Sequence, residues 1–345
     1  MRSERRGVQY IHYDLGGKPD TRRQGLFLGV GVPERKREHM AIEETKYIWK
    51  NGELVPWAEA TTHVLTHSLH YGSAVFEGIR CYHNEETGKS YVFRLKDHMD
   101  RLVRSTKIAG IPFERTSEEL CEATLELIRA NELPACYIRP LVYYGYGNMG
   151  VNPAGCPVEA IIAVWPWGAY LGPEALEKGI KMGTSSWRQR SINAIPPSMK
   201  SAASYMNSIL AKQEAISHGY DEAVMLNEAG KVCEGTGENL FVVRDGYLST
   251  PPLSDGLLEG VTRDTVMVLA SDMDIPVFEE SLTRSDLYIA DEMFLTGTAA
   301  ELTPVASLDE RSIGGRGPIT KQIQDRLFDV VAGKVEEYQD WLTEV

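Results

Sequence analysis

The sequence predicts a mixed α+β protein of two domains. Three observations predict this class: amphipathic helices intermix with short β-rich strands, strict strand–helix–strand alternation is absent, and a Pro/Gly/aromatic stretch at 166–173 divides the chain. The length of 345 residues suits two domains at roughly 150 residues each. We expect an extension at 1–39, a small α+β domain at 40–165, a connector at 166–175 and a larger α/β domain at 176–345.

In the first half, the pair Asn51-Gly52 between two β-rich segments predicts a hairpin with a type I′ turn over 47–55. Apolar residues at helical spacing predict a helix over 96–109. Thr116 and Glu119 have the spacing of a capping box, which predicts the start of a second helix. Further strands are expected at 91–95, 137–144 and 158–165.

In the second half, the patterns predict strands near 179–185, 222–226, 239–243 and 293–295. Helices are expected at 201–218, ending before Gly219, at 261–270 and, as the last element, at 319–342.

The overall composition excludes several classes of protein. Apolar residues make up 43% and charged residues 25%, as in a globular chain, and no run approaches the roughly 18 apolar residues of a membrane span. The net charge of −13 disfavours nucleic acid and anionic membranes as partners. This charge is uneven, since residues 1–39 carry +4 and the rest −17. The basic segment lacks an apolar core and is poor in Ser, so we expect a mobile extension, not a targeting signal.

The cysteines and histidines predict neither disulfides nor a metal site. Five cysteines are scattered with no Cys-x-x-Cys pair, which favours reduced thiols in a cytoplasmic protein. His63, His67 and His70 cluster, but the Glu of an H-E-x-x-H motif is absent, so packing and hydrogen bonding are the expected roles.

A glycine triplet, Gly145, Gly147 and Gly150, matches the dinucleotide fingerprint G-x-G-x-x-G. In that motif a helix begins at the third glycine, whereas here Val151-Asn152-Pro153 follows and disfavours a helix. We therefore expect a long loop here and reject a nicotinamide oxidoreductase.

Lys200 is the first candidate for chemistry. Two prolines precede it and small residues follow it, so the lysine can be partly buried. Burial would lower its pKa and make the amine nucleophilic. The alternative is an ordinary surface lysine.

Three other segments complete a possible set. Glu234 precedes a Gly-x-Gly turn, where a carboxylate could face a ring nitrogen. The predicted helix start after Leu258 and the Thr296–Thr298 turn could hold a phosphate. Each alone is typical of a turn or a cap. Together with a lysine they are what pyridoxal phosphate requires.

The chain resembles the branched-chain amino acid aminotransferases, which belong to the fold type IV class of pyridoxal phosphate enzymes. The matching segments span about 47–341 and are His70-Tyr-Gly72, Phe76-Glu-Gly-Ile-Arg80, His98-Met-Asp-Arg101-Leu, Tyr137-Ile-Arg139-Pro-Leu141, Met149-Gly-Val151-Asn-Pro153, Pro166-Trp-Gly-Ala-Tyr170, Glu234-Gly-x-Gly-Glu-Asn-Leu-Phe241 and Gly297-Thr-Ala-Ala-Glu301. The resemblance implies a two-domain fold with pyridoxal phosphate in the cleft between the domains.

The resemblance also implies residue roles. Lys200 would be the catalytic Schiff-base lysine, Glu234 would pair with the pyridine nitrogen, and Tyr205 would hydrogen-bond the phenolic oxygen. The other cofactor-binding residues implied are Arg101, Leu258, Val261, Thr262 and Thr298. The substrate-binding residues implied are Phe76, Tyr137, Arg139, Trp167, Tyr170, Gly237, Thr298 and Ala299, with Tyr71, Met149 and Val151 from a partner subunit. No metal is implied.

The implied reaction transfers the amino group of L-leucine, L-isoleucine or L-valine to 2-oxoglutarate, giving L-glutamate, in a ping-pong mechanism in a homodimer or larger homo-oligomer. Arg139 is the expected partner of the glutamate side-chain carboxylate. Rivals are a D-amino acid aminotransferase, an (R)-amine transaminase, an aminodeoxychorismate lyase and a non-catalytic pyridoxal phosphate-binding protein. The chain departs from the family pattern at Ala203, where glycine is usual, and in its extension.

Overall fold

The structure is a computed structural model that describes residues 42–168 and 172–345. The segment 42–345 is one compact unit containing two β-sheets. The predicted extension at 1–39 lies outside the described residues. Within the described ranges, no helix is long and apolar enough to cross a membrane.

The first sheet is antiparallel and is built from the first half of the chain and its last residues. Its strands are β1 (Tyr47–Lys50), β2 (Glu53–Pro56), β3 (Ala74–Phe76), β4 (Ile79–Asn84), β5 (Lys89–Phe93), β6 (Cys136–Tyr144), β7 (Val158–Trp165) and β17 (Leu342–Glu344). Their order is β17-β5-β4-β6-β7-β1-β2, with β3 paired to β6. The predicted hairpin is confirmed, because Asn51 and Gly52 both have the positive φ that a type I′ turn needs (55° and 114°).

Helices α1 (His67–Tyr71), α2 (Leu95–Ala109) and α3 (Ser117–Asn131) accompany this sheet. The capping box predicted at Thr116 and Glu119 is present and begins α3. Met99 and Leu127 are fully buried and join Ile138 of β6 in one core cluster. Each such side chain contributes about 1.5–3 kcal/mol by leaving water. This packing fixes α2, which carries two residues of the candidate site.

The second sheet is mixed. Its strands are β8 (Ile180–Arg188), β9 (Glu222–Leu226), β10 (Val232–Glu234), β11 (Asn239–Arg244), β12 (Tyr247–Thr250), β13 (Val277–Glu279), β14 (Glu292–Gly297), β15 (Glu301–Leu308) and β16 (Arg311–Ser312). Their order is β10-β9-β8-β15-β14-β11-β12-β13, with β16 paired to β15. Strand β8 runs parallel to both β9 and β15, and β12 runs parallel to β13.

Apolar residues on both faces of the second sheet are buried. Its helices are α4 (Pro173–Lys178), α5 (Tyr205–Ser217), α6 (Val261–Asp272), α7 (Arg284–Tyr288) and α8 (Pro318–Val331). Phe241 packs in the core cluster shared with α6 and α8, whereas Leu240 and Val242 pack in the cluster shared with α4 and α7. This alternation along β11 explains its continuous apolar sequence.

Two predicted helices are wrong in extent. The final helix does not run over 319–342, because α8 ends before Gly333, whose φ of 73° is left-handed; a 3-10 helix (Glu336–Trp341) and β17 follow. The helix predicted over 201–218 begins as a 3-10 turn (Ala202–Ser204) before α5. The strand predicted at 91–95 is β5, two residues earlier. The remaining predicted elements are present, with bounds shifted by a few residues.

Candidate active site

A cavity of about 290 Å³ is lined by residues from both sheets and from α2 and α6. Fourteen of the residues singled out in the sequence line this one cavity, and they are Phe76, Arg101, Tyr137, Arg139, Trp167, Lys200, Tyr205, Glu234, Gly237, Leu258, Val261, Thr262, Thr298 and Ala299. The two halves of the chain therefore contribute to a single site.

The backbone at Lys200 is fixed from two sides. Its carbonyl oxygen accepts a hydrogen bond from the Phe76 amide (3.1 Å), and its own amide donates to the Ser105 hydroxyl (3.3 Å). The 3-10 turn that follows brings Tyr205 to the same side, so that the Lys200 amine donates to the Tyr205 hydroxyl at 2.9 Å. The lysine amine and the phenol thus face the cavity together.

The pKa of Lys200 lies above the ordinary value for a lysine, so the low pKa expected from the sequence is wrong. Burial does lower the pKa, and Arg101 adds to that effect. The Tyr205 oxygen and the Glu77 carboxylate outweigh them because both favour the charged amine.

Glu234 ends β10 with its carboxylate aimed into the cavity and held by three donors. Gln189 donates to Oε1 at 2.6 Å, while the Leu258 amide (3.1 Å) and the Asn239 side chain (3.3 Å) donate to Oε2. Burial raises the pKa of Glu234, and the Leu258 amide and Arg190 only partly offset this. A proton or a positive charge facing this carboxylate would therefore be strongly favoured.

Arg101 is buried on α2 in a network that includes Glu77 and His98. Its Nε and Nη2 donate to the two oxygens of Glu77 at 2.6 and 2.7 Å, and its Nη1 donates to the Glu259 carbonyl. The His98 ring lies 2.8 Å from the same carboxylate. Burial alone would raise the pKa of Glu77, but Arg101 and His98 hold it well below its ordinary range. Glu77 is thus a fixed anion that orients Arg101.

Beside Arg101, the part of the cavity at the start of α6 is rich in amides and hydroxyls. Helix α6 begins at Val261, and Thr262 and Thr298 line the cavity beside it. Only glycine fits at position 260, because a Cβ on it would lie 1.9 Å from the Asn239 side chain and clash with it. Within the described residues, the buried Thr296 hydroxyl has no hydrogen-bond partner. This end fits an anion such as phosphate.

Aromatic rings and Arg139 form the remaining wall. The ring centroids of Tyr137 and Trp167 are 5.0 Å apart. The Arg139 guanidinium lies over the Phe76 ring (4.8 Å), and its Nη2 donates to the Tyr137 hydroxyl (3.2 Å). Its Nε has no hydrogen-bond partner among the described residues. This wall can hold an apolar side chain and still offer a donor to a carboxylate.

Three predicted site residues do not line the cavity, and a fourth lies outside the described residues. Tyr71, Met149 and Val151 do not line it and are exposed, Val151 to 89%. Tyr170 lies outside the described residues. The contribution of Tyr71, Met149 and Val151 to the cavity of a partner subunit stays a prediction.

The glycine triplet and the histidine cluster both lie in the first half of the chain. The glycine triplet lies in the loop between β6 and β7, with no helix after Gly150. The His67 ring bonds to Ser73 and to the Gly150 carbonyl, both at 2.7 Å, and the His70 ring to the Val64 carbonyl. Across the described ranges, no group of three or more His, Cys, Asp or Glu side chains is placed to hold a metal.

Ala203 is accommodated without a clash. Its methyl group lies opposite Gly72, where an added Cβ would come within 2.9 Å of it. Gly72 also has a φ of 64°, which favours glycine. The extra methyl group of Ala203 is therefore accommodated because its neighbour at the end of α1, Gly72, has no side chain.

The site residues that sequence reasoning missed include Glu77, His98 and Glu238. All three are buried, and His98 and Glu238 line the cavity. Glu77 and His98 lie inside segments that carried the resemblance, and Glu238 ends the Glu-Gly-Thr-Gly-Glu run. The available sequence signal was that Glu77 and Glu238 each follow a predicted site residue, Phe76 and Gly237.

A lysine, a buried acid and an anion-binding end around one cavity suit a pyridoxal phosphate transferase. The family comparison agrees: the chain belongs to the amino-transferase class IV family, whose model matches residues 74–308.

The branched-chain-amino-acid aminotransferase of Escherichia coli K12 is 48% identical over 309 residues, covering 89% of this chain and 99% of that protein. A crystal structure of the Escherichia coli enzyme superposes with a TM-score of 0.84 at 48% identity, over 87% of this chain and 99% of the other. The branched-chain amino acid aminotransferase of Thermobaculum terrenum, in its PLP-bound holo form, superposes with a TM-score of 0.83 at 42% identity, over 88% and 99%.

Proposed function

We propose that this protein transfers the amino group of L-leucine, L-isoleucine or L-valine to 2-oxoglutarate with pyridoxal phosphate as cofactor. The observation that carries the proposal is the convergence of Lys200, Tyr205, Glu234 and Arg101 on one cavity. The 48% identity to enzymes named for this reaction supports the substrate class.

The donor set fits the cofactor. Pyridoxal phosphate supplies an aldehyde that bonds to amines and a ring that accepts electrons from the substrate. Lys200 would hold the aldehyde carbon, Tyr205 would donate to the phenolic oxygen, and Glu234 would keep a proton on the ring nitrogen. The phosphate would be held by Arg101 and the start of α6, with further contacts from Leu258, Val261, Thr262 and Thr298.

Lys200 would also move the proton of the reaction. Once released from the cofactor, its Nζ would take a proton from the substrate Cα and return it to the cofactor carbon that carries nitrogen. Only the uncharged amine can take that proton. The hydrogen bond to Tyr205 orients Nζ, and the nearby Arg101 charge works against the raised pKa of the amine.

Substrate selection would rest on the wall of rings. Phe76, Tyr137 and Trp167 offer apolar surface to a branched side chain, and Gly237 and Ala299 also line the cavity. Arg139 would form a bidentate pair with the side-chain carboxylate of glutamate or 2-oxoglutarate. One pocket could thereby accept both kinds of substrate.

A homodimer would complete the site. Tyr71, Met149 and Val151 are large apolar side chains on the surface of the described chain, where Leu69 (63%) and Val64 (74%) are exposed as well. Burying such a surface against a second copy would be favourable, and Tyr71, Met149 and Val151 would then reach the partner's cavity.

The domain division and the cellular location remain proposals. We divide the chain at a connector, 166–175, between a domain at 40–165 and one at 176–345, with Tyr170 of the connector shaping the pocket. A cytoplasmic location is supported by the cysteines, which are all free thiols.

The test is the Lys200→Ala variant beside Lys178→Ala, which removes an exposed lysine. Lys200→Ala should lose at least about 1,000-fold in turnover with L-leucine and 2-oxoglutarate, and the lysine-dependent visible absorbance of the bound cofactor. Lys178→Ala should keep both. If Lys200→Ala retains turnover and absorbance, the assignment is wrong.

A donor panel separates the rivals within the fold. L-leucine, D-alanine and (R)-1-phenylethylamine are each offered with 2-oxoglutarate, and aminodeoxychorismate is offered alone. We expect activity with L-leucine. A yellow protein that is inactive with every compound would instead be a binding protein.

A further inference from the structure

The turn at 235–237 links Glu234 to Glu238 and lines the cavity through Thr236 and Gly237. One end of this turn therefore fixes the acid proposed for the ring nitrogen, and the other fixes the backbone proposed to face the substrate. The side chains that fix this turn therefore determine the positions of both the Glu234 carboxyl and the backbone proposed to face the substrate.

Two buried carboxyl groups hold the amides of this turn. Glu222, on β9, accepts from the Thr236 amide (3.3 Å) and from the Ala223 amide (2.7 Å) through Oε1. Glu238 accepts from the Gly237 amide at 3.1 Å through Oε2. The Lys212 amine of α5 donates to the other oxygen of Glu222. Glu222 is 0% and Glu238 6% exposed.

The turn is also confined sterically. A Cβ on Gly235 would lie 2.9 Å from the Glu238 carboxyl, and a Cβ on Gly297 would lie 3.6 Å from the Gly237 carbonyl oxygen. The turn is thus tightly packed against the Glu238 side chain, whereas the 297–299 turn, which carries Thr298 and Ala299, leaves room for an ordinary contact. A movement of Glu238 would therefore displace the 235–237 turn.

The charges near Glu238 favour its uncharged form. Burial raises the pKa of Glu238 to about 8, with Glu222 and Glu234 adding to the rise and the Lys212 amine and the Gly237 amide opposing it. These groups come from β9, β10 and α5, and the 297–299 turn has no charged residue. An uncharged carboxyl still accepts the Gly237 amide through its carbonyl oxygen, and Glu222 keeps its ion pair with Lys212.

We propose that Glu238, together with Glu222 and Lys212, is a positioning residue whose hydrogen bond to the Gly237 amide fixes the 235–237 turn against the substrate. The part concerning substrate rests on the proposed function. Loss of the proton places two buried negative charges side by side, and the repulsion displaces the turn. Substrate binding then weakens as the pH rises through the pKa of Glu238.

The experiment compares the wild type with Glu238→Gln, whose amide mimics the uncharged acid. In the wild type, the KM for L-leucine should rise up to about tenfold from pH 7 to pH 9, because a group with a pKa near 8 is then about nine-tenths ionised. In Glu238→Gln this rise should be at most about twofold, with the KM at pH 7 changed by less than about threefold.

Glu292→Gln is the matched control. Glu292 is also buried and also holds two consecutive amides, those of Ile319 (3.1 Å) and Thr320 (2.6 Å), but it does not line the cavity. This variant should keep the wild-type rise in KM. If Glu238→Gln also keeps the full rise, the proposal is overturned.

A second readout does not depend on turnover. Hydrogen exchange of a peptide spanning 234–241, corrected for intrinsic rates, should show lower protection at pH 9 than at pH 7 in the wild type and unchanged protection in Glu238→Gln. Equal protection of the wild type at both pH values overturns the proposal, even if the variant fails to fold. Absence of amino transfer with a normal exchange response would instead contradict the proposed function alone.

Discussion

On the cavity wall built by the first half of the chain, the buried Glu77 carboxyl faces the guanidinium of Arg101 and the ring of His98. On the wall built by the second half, the buried Glu238 carboxyl faces a second carboxyl, that of Glu222, which Lys212 already neutralises. The pKa of Glu77 lies well below its ordinary value, whereas that of Glu238 rises to about 8.

The comparison teaches that burial alone does not set the charge of a carboxyl group. Both groups lose water, so the partner decides which form is stable. The first wall therefore holds its shape through paired charges, and the second through backbone amides held by a carboxyl group that can be uncharged.

The largest effect is expected from breaking the first wall with Glu77→Gln. This change leaves the buried Arg101 charge without its anion, which should cost about 3–5 kcal/mol in the free energy of unfolding. Cofactor affinity should fall as well, because Arg101 loses its orientation. Denaturant unfolding and a cofactor titration measure the two effects.

The control is Glu279→Gln, which removes the partly exposed partner of another buried arginine, Arg263, and should cost at most about 1 kcal/mol in the free energy of unfolding.

The pKa of Glu77 is lower in the folded than in the unfolded chain, so the stabilisation that Glu77 provides is present above about pH 4.5 and is lost as the pH falls further. The stability gap between wild type and Glu77→Gln should therefore be constant from pH 8 to 5 and shrink below that. A gap that widens on acidification would contradict the charge assigned to Glu77.

The next effect concerns substrate choice on the same wall. Arg139→Met removes the donor proposed for the glutamate side chain and should lower kcat/KM for L-glutamate about 10- to 100-fold more than for L-leucine. Arg188→Met, which removes an exposed arginine, is the control. Equal losses for both substrates would show that Arg139 does not discriminate between them.

A smaller effect is expected on the backbone wall. A Cβ on Gly237 meets no atom within 4 Å, so Gly237→Ala should fold normally and place one methyl group in the cavity. The KM for L-leucine should rise about tenfold, and that for the shorter L-valine less. A larger effect on L-valine would place Gly237 away from the substrate side chain.

The smallest effect is expected from deleting the extension, which tests whether residues 1–39 contribute to either wall of the cavity. Within 42–168 and 172–345 the cavity-lining residues all lie between Phe76 and Ala299, and the family model matches residues 74–308, so we expect deletion of residues 1–39 to change kcat/KM by less than about twofold. A large loss of activity would show that the extension belongs to the enzyme.

Local sequence signals predicted much of the fold. Asn51-Gly52 and the Thr116–Glu119 pair act within a few residues, so the hairpin and α3 follow directly from them. The last helix was predicted too long because Val335, Tyr338 and Trp341 continue an apolar spacing beyond α8, although Gly333, whose left-handed φ follows the end of the helix, is a stop signal in the sequence.

The candidate site divides in the same way. Lys200 and Glu234 were recognisable because prolines or glycines adjoin them. The roles of Glu77 and Glu238 were not, since each depends on a partner at least 16 residues away and on burial that only the folded chain creates. The charge of a buried group is a property of its neighbours, which sequence spacing does not supply.

The last strand, β17, has a mechanical consequence. The chain passes from the first sheet to the second between β7 and β8 and returns when β17 pairs with β5, where the Arg94 amide also donates to the Trp341 carbonyl (2.7 Å). The chain therefore connects the two sheets at two separate points. The Val345 amide extends this pairing by donating to the Ser90 carbonyl (3.0 Å), so a change that removes β17 would leave the crossing between β7 and β8 as the chain's remaining connection between the sheets.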